Sequence, residues 1–196
     1  MKNIPNGDWA TYYENTKNYP TSPLLIKALE FVKSKNKAID IGGGKTLRDA
    51  RHLLSLGFET TSIDKEETVA VVAQEITSDK FHFYTTAFAN FDFSVNKYDI
   101  ASAMYSLPFN LPEDFDKVFD RVKKSLVTDG IFCGQFFGSN DEWSNNPQLT
   151  FHAKENVLTL LDGMDIILLE EKEVDGRTTD GTPKHRHIFD VIARKK

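Results

Sequence analysis

Apolar residues fall along this chain in two alternating rhythms: the period of an amphipathic helix and the short dense run of a buried strand. From Ser22 to Lys35, the residues Leu24, Leu25, Ala28, Leu29, Phe31 and Val32 recur at helical spacing after a Pro-Thr-Ser-Pro start. Ala38 to Ile41 is a short strand, Leu47 to Leu56 a helix closed by Gly57, and Glu59 to Asp64 a second strand. Lys65 to Ile76 reads as a helix, Phe81 to Thr85 as a third strand and Tyr98 to Met104 as a fourth. Pro112 to Leu126 has an apolar helical stripe, and Gly130 to Phe137 is a fifth strand. The Gly-, Asn- and Pro-bearing stretch 138–147 reads as a loop and Lys154 to Leu161 as a short helix. Ile166 to Val174 and Ile188 to Ala193 close the chain as a hairpin-like pair of strands.

Alternation first and a strand pair last predict an α/β fold. The expected form is one doubly wound, mostly parallel seven-stranded sheet with an antiparallel C-terminal strand. No internal repeat or Pro/Gly/Ser linker divides the chain. Residues 1–196 are therefore expected to form one domain, with 1–21 as an N-terminal arm or lid and 22–196 as the α/β core. Ligands on such sheets sit beyond the carboxyl ends of the strands. Asp40, Asp64, Ala87, Met104 and Phe137 all fall there.

Composition narrows the classes. Twenty-four basic residues against 29 acidic ones give a net charge of -5, with no basic stripe to engage a phosphate backbone, so no nucleic-acid partner is expected. No apolar run is long enough to span a membrane, and the polar start Met1-Lys-Asn-Ile-Pro-Asn-Gly-Asp is not a signal peptide. A lone cysteine, Cys133, excludes an internal disulfide and fits a reducing cytoplasm. No Cys, His and carboxylate cluster has metal-ligand spacing, so no metal is expected.

The chemistry concentrates in Lys37-Ala-Ile-Asp-Ile-Gly-Gly-Gly-Lys-Thr46 and in Thr61-Ser-Ile-Asp64. A strand ending in an acid and three glycines before a helix lets backbone approach a ligand and presents amides at a helix N-terminus. An acid closing the next strand is placed to accept the two hydroxyls of a ribose. A dinucleotide fingerprint starting at Gly42 needs a glycine at position 47, where Leu47 stands. A phosphate-binding P-loop ending Gly44-Lys45-Thr46 needs a glycine at position 39, where Ile39 stands. What remains is Asp40, Gly42 and Gly44 as Asp-x-Gly-x-Gly, the pattern of an S-adenosylmethionine (SAM) site, or a tight turn in some other α/β protein. In a SAM site Asp40 meets the cationic amino-acid end of the ligand.

Several further stretches extend the picture: Trp9-Ala-Thr-Tyr-Tyr13, Leu24-Leu25, Tyr105-Ser-Leu-Pro-Phe109, Gly134-Gln-Phe-Phe-Gly138, Asp141-Glu-Trp143, Thr150-Phe-His152 and Lys184-His-Arg-His-Ile-Phe189. With the Asp40 to Asp64 unit they resemble, nearly end to end, class I SAM-dependent methyltransferases, and within these the small bacterial group related to tellurite-resistance methyltransferases. The resemblance implies a cytoplasmic enzyme that transfers a methyl group from SAM to a small-molecule acceptor, as a monomer or homodimer. It implies cofactor contacts from Asp40, Gly42, Gly43, Gly44, Asp64, Ala87, Phe88 and Met104. Two departures stand out. Lys45 and Thr46 follow the glycines where relatives continue Gly-x-Gly-x-Gly, and Ala87 occupies the place of an aspartate that meets the adenine amino group. The competing readings are a non-catalytic SAM or nucleoside-binding module and, further off, a nicotinamide oxidoreductase.

Methyl transfer needs in-line positioning and, for a protic acceptor, a proton acceptor. His185 and His187 are the candidate bases, or else hydrogen-bonded structural histidines at the hairpin. Tyr105, just past the fourth strand, orients an acceptor or simply packs. Tyr13, Tyr105, Phe137, Trp143, His185 and His187 are the expected acceptor lining, with Trp9, Tyr12, Tyr13 and Tyr19 on the arm above. His152 reads as a cap or surface residue, and Cys133 as inert core.

Overall fold

The computed structural model describes residues 15–16, 18–178 and 180–196. Among the described residues, α-helices and strands follow one another as α1 Pro23–Leu29, β1 Lys37–Ile41, α2 Arg48–Ser55, β2 Glu59–Asp64, α3 Glu67–Ala73, β3 Phe81–Thr85, β4 Tyr98–Ala103, α4 Pro112–Ser125, β5 Leu126–Gly138, β6 Phe151–His152, α5 Lys154–Leu160, β7 Met164–Arg177 and β8 Pro183–Lys195. The strands form one sheet in the order β3-β2-β1-β4-β5-β8-β7, with β6 beside β5. Strands β1 to β6 pair in parallel, and β8 runs antiparallel to both β5 and β7. The expected seven-stranded path is therefore present, with a two-residue eighth strand appended between the expected 138–147 loop and the helix that follows it.

Both faces are covered. On one, α4 packs Phe115, Val118, Phe119 and Val122 against Ile39, Ala101, Phe132, Phe136 and Phe189. Those four helix residues lie at i, i+3, i+4 and i+7, and all are at most 1% exposed, each adding about 1.5–3 kcal/mol of apolar burial. Pro112 starts α4, Glu113 and Asp114 follow in its first turn, and Lys123 and Lys124 occupy its last, complementing the helix dipole at both ends. On the other face, Leu24, Leu25 and Ala28 of α1 and Leu53 of α2 cover Ala38, Ile100, Ile131, Cys133 and Ile192. Alternation along β1 thus places Asp40 on the α1 side, between Ile39 and Ile41 on the α4 side.

Several boundaries differ from the sequence reading. The first helix ends at Leu29 rather than Lys35, because Glu30, Phe31 and Val32 donate to carbonyls three residues back and tighten the chain. The third helix is likewise trimmed to Glu67–Ala73. The terminal hairpin is much longer than its apolar stretches, with paired residues out to Arg177 and Pro183. Its outer half is polar and is held by cross-strand pairs such as His185 with Asp175 and His187 with Glu171. His152 is buried, not a surface cap. Its ring centre lies 4.6 Å from that of Phe115 and 5.9 Å from that of Phe136.

Candidate active site

The glycine turn follows directly from β1. Gly42 donates its N–H to Ile63 O at 2.8 Å and has φ +78°. A side chain there would clash, since its Cβ would lie 2.4 Å from Ser106 Cβ. Gly43 is equally confined, with Ser62 Oγ 2.3 Å from where a Cβ would stand. Gly44, with φ +60°, donates its N–H to Asp64 Oδ2 at 3.0 Å. Asp64 Oδ1 accepts the Glu66 N–H at 3.0 Å. The acid that closes β2 therefore also ties down the turn that closes β1.

Leu47 explains how the chain dispenses with a third fingerprint glycine. It takes the left-handed conformation, φ 48°, as the N-cap of α2. Its side chain is fully buried with Ala50, Val69 and Ala73. Left-handed backbone costs an L-residue roughly 1–2 kcal/mol, and burying a leucine returns about 1.5–3 kcal/mol. Packing wins, and Lys45 and Thr46 are left on the cleft wall.

Beneath the turn lie two carboxylates on the α1 side of the sheet. Asp40 is 2% exposed and accepts from Ser62 Oγ at 3.4 Å. Burial, reinforced by the neighbouring Asp49 and Asp64 carboxylates, holds its carboxyl well above the usual aspartate range. Asp49, on the buried face of α2, accepts the Ser22 N–H at 2.9 Å, and burial raises its carboxyl as well. Ser22 Oγ donates in turn to Met104 Sδ at 3.1 Å. These carboxylates favour a cation beside them.

The resulting cleft holds about 270 Å³ beyond the carboxyl ends of β1, β2 and β4. It brings together Asp40, Gly42, Gly43, Gly44, Asp64, Ala87, Phe88, Met104 and Tyr105 from the sequence reading. Residues that reading passed over complete it: Lys45, Arg48 and Asp49 by the turn, and Ser106, Phe109, Asn110 and Asp114 across from it. Asp49 had a signal in the sequence, an acid four residues before Leu53 on an amphipathic helix. In the 106–114 wall, Ser106 and Phe109 had a signal in the Tyr105-Ser-Leu-Pro-Phe109 stretch, and Asn110 and Asp114 had none.

The remaining expected residues stand elsewhere. Tyr13, with Trp9 and Tyr12, lies outside the described residues. His187 does not line the cleft. It is 3% exposed, its Nδ1 accepts the Asn140 N–H at 3.1 Å, and its Nε2 meets Glu171 Oε1 at 3.0 Å, so both ring nitrogens are engaged. Its ring lies where a side chain on Gly138 would be, 2.2 Å from the Cβ position. His185 sits on the outer hairpin between Asp175 (2.7 Å) and Glu173 (3.1 Å), and these carboxylates, Asp175 foremost, raise its pKa. Phe137 and Trp143 stand behind the cleft wall rather than on it. Phe137 backs Phe109 with ring centres 5.9 Å apart, and Trp143 packs on Phe137 at 6.3 Å. Among the described residues, no group of three His, Cys, Asp or Glu side chains is placed to hold a metal ion.

No family model matches the sequence, and no curated protein matches it. Solved structures do match. TehB from Haemophilus influenzae superposes with a TM-score of 0.75 at 16% identity, over 95% of this chain and 67% of that one. The 1,6-didemethyltoxoflavin-N1-methyltransferase of Burkholderia thailandensis, solved with its substrate and S-adenosylhomocysteine, gives 0.67 at 18% identity over 98% and 87%. The cyclase SpnF gives 0.63 at 16% identity over 88% and 79%. The chain has the Rossmann-like fold of the class I SAM-dependent methyltransferases.

Proposed function

We propose that this protein is a SAM-dependent methyltransferase acting on a small molecule. The observation that carries this reading is the meeting of the Gly42–Gly44 turn, Asp40 and Asp64 in one cleft at the switch of the sheet. The likeness to methyltransferases supports it. In this reading Asp64 holds the ribose hydroxyls, Asp40 and Asp49 face the cationic amino-acid end, and Phe88 lies against the adenine. When bound, SAM supplies an electrophilic methyl that passes to a lone pair of the acceptor, with S-adenosylhomocysteine as the leaving group.

The chain's own task is then to bind, orient and exclude water. Tyr105 and Phe109 are the aromatic side chains we place beside the acceptor, both of them on the described cleft wall. Engaged at both nitrogens and outside the cleft, His187 has no place as the base, and His185 is further out still. Net charge -5 favours a small-molecule acceptor over nucleic acid. No helix of the described residues is long and apolar enough to cross a membrane, and with the lone buried Cys133 this supports our placing the protein in the cytoplasm.

A second reading, a non-catalytic SAM or nucleoside-binding module, is favoured by Ala87, which stands where the resemblance expects an aspartate. The same fold also carries a cyclase, SpnF, so the fold alone does not decide the chemistry. Calorimetry with SAM, S-adenosylhomocysteine and NAD separates the classes. Binding of the first two but not NAD is expected, with Asp64→Ala weakening it at least tenfold, about 1.4 kcal/mol. Unchanged affinity in that variant removes the cofactor assignment. Tight SAM binding without turnover across thiols, phenols, amines and chalcogen oxyanions hands the case to the binding module.

A further inference from the structure

One buried polar side chain in the sheet is not explained by anything above. Gln135 lies in β5, 3% exposed, on the face that Cys133 shares with α1. Its Oε1 accepts the N–H of Tyr105 at 3.0 Å, and its Nε2 donates to Asp190 Oδ1 on β8 at 2.9 Å. Asp190 Oδ2 accepts from Lys172 Nζ on β7 at 2.6 Å. The three bonds cross four neighbouring strand positions, from the end of β4 through β5 and β8 to the edge strand β7.

The inner end of this chain is unusual. Tyr105 has φ +53°, a left-handed conformation unfavourable to any residue with a side chain, and it lines the cleft. Its N–H leaves the β4 ladder and points at Gln135. A primary amide can present either end, so something must choose. Here both neighbours are one-way groups: a peptide N–H only donates and an ionised carboxylate only accepts. Asp190 therefore holds the Gln135 amide with its oxygen toward Tyr105, and Lys172 Nζ pairs with the other Asp190 oxygen.

We propose that Gln135 is a positioning residue, oriented by Asp190 and Lys172, that fixes the Tyr105 backbone and thereby the aromatic wall of the cleft. The stretches Tyr105-Ser-Leu-Pro-Phe109 and Gly134-Gln-Phe-Phe-Gly138 become parts of one device. The relevance of that wall to methyl transfer rests on the function proposed above; the hydrogen-bond relay itself does not. An unneeded buried amide and carboxylate in the middle of a sheet would be costly to keep.

The test reads the Tyr105 amide, and the other amides of β4, in uniformly isotope-labelled full-length protein. Gln135→Leu removes the acceptor. Asp190→Asn keeps the shape but lets Gln135 turn over, since an asparagine amide can face it with either end. Lys172→Met, on the half-exposed edge strand, perturbs the relay where the fold is least at risk. Hydrogen exchange at Tyr105 is expected to speed up at least tenfold in all three, with Ile100 in the same strand unchanged and Lys172→Arg at the wild-type rate. S-adenosylhomocysteine affinity or turnover should fall with it, and Gln135→Leu should add nothing to Tyr105→Ala. Wild-type exchange at Tyr105 in Gln135→Leu, or in both Asp190→Asn and Lys172→Met, overturns the relay. So does equal acceleration along the whole of β4, which marks loss of structure rather than of position. Failure of the wild-type protein to bind SAM or S-adenosylhomocysteine would instead remove the methyltransferase reading, leaving the exchange result to decide the relay.

Discussion

The ammonium of Lys184 stands 3.3 Å from the centre of the Trp143 ring. Asp141 pairs with the same ammonium at 2.9 Å, and the two charged side chains are 5% and 0% exposed. Asp141 also accepts the Trp143 N–H at 2.9 Å and the His187 N–H at 3.3 Å. Two sequence stretches expected near the acceptor are thus joined as a buried clasp between the 138–147 loop and the start of β8. Lys184→Met should leave the Asp141 charge buried without its partner and lower stability by about 3–5 kcal/mol. Urea unfolding measures it. A double Asp141→Leu/Lys184→Met variant should recover part of the loss, and a midpoint as low as that of the single variant would contradict the account.

Asp40 supplies a pH prediction. Burial, then Asp49 and Asp64, raise its carboxyl, so part of the population holds a proton that a cationic ligand must displace. SAM affinity should therefore rise with pH above the ordinary aspartate range, and binding should release protons. Calorimetry in two buffers of different ionisation enthalpy reads that release directly. Proton uptake, or affinity falling with rising pH, would place the cationic end of the ligand elsewhere.

Elsewhere on the cleft wall, Ala87, Phe88 and Ala89 provide methyls, an aromatic ring and backbone, but no carboxylate. Introducing one with Ala87→Asp should tighten SAM binding by roughly 1.5–3 kcal/mol if the adenine amino group lies there. An S-adenosylhomocysteine analogue whose purine lacks that amino group should gain nothing. Equal gains for both ligands would mean that the added charge acts at a distance, on the sulfonium or ammonium.

The sequence carried the order of elements because hydrophobic period and Gly or Pro punctuation are local signals. It also carried the Asp40 to Asp64 unit, whose geometry is set within one strand-turn-helix-strand stretch. It misplaced His187, Phe137 and Trp143 because a strand end fixes where the backbone lies and not which way each side chain turns. Whether His187 faced the cleft depended on Gly138, Asn140 and Glu171, brought together only by the pairing of β5, β7 and β8. The polar outer hairpin was missed for a related reason: its stabilising pairs lie across strands, where no one-dimensional periodicity records them.

His152 shows the same effect on stability. Its Nε2 has no hydrogen-bond partner among the described residues, and burial against Phe115 and Phe136 depresses its pKa below the ordinary 6.5, opposed by Asp116. The folded state thus prefers the neutral ring. Its contribution should be complete above about pH 6.5 and fade as pH falls toward the depressed folded value. Thermal unfolding between pH 8 and 5 should show this loss, and His152→Leu should flatten that part of the profile. An equally steep acid loss in the variant would assign it to other groups.

The neighbouring positions of β1 and β4 have a consequence for how the protein comes into being. Ser106 lies close against Gly42, and Ala38 lies beside Ile100 although two helices and two strands separate them along the chain. During synthesis, a nascent chain that has not yet delivered Ser106 contains the complete glycine motif but not the cleft wall across from it. Such long-range parallel pairing forms slowly and leaves apolar strand faces open while it waits. Under the function proposed above, ligand engages only after β4 has inserted between β1 and β5, and from then on its binding stabilises the folded sheet by mass action.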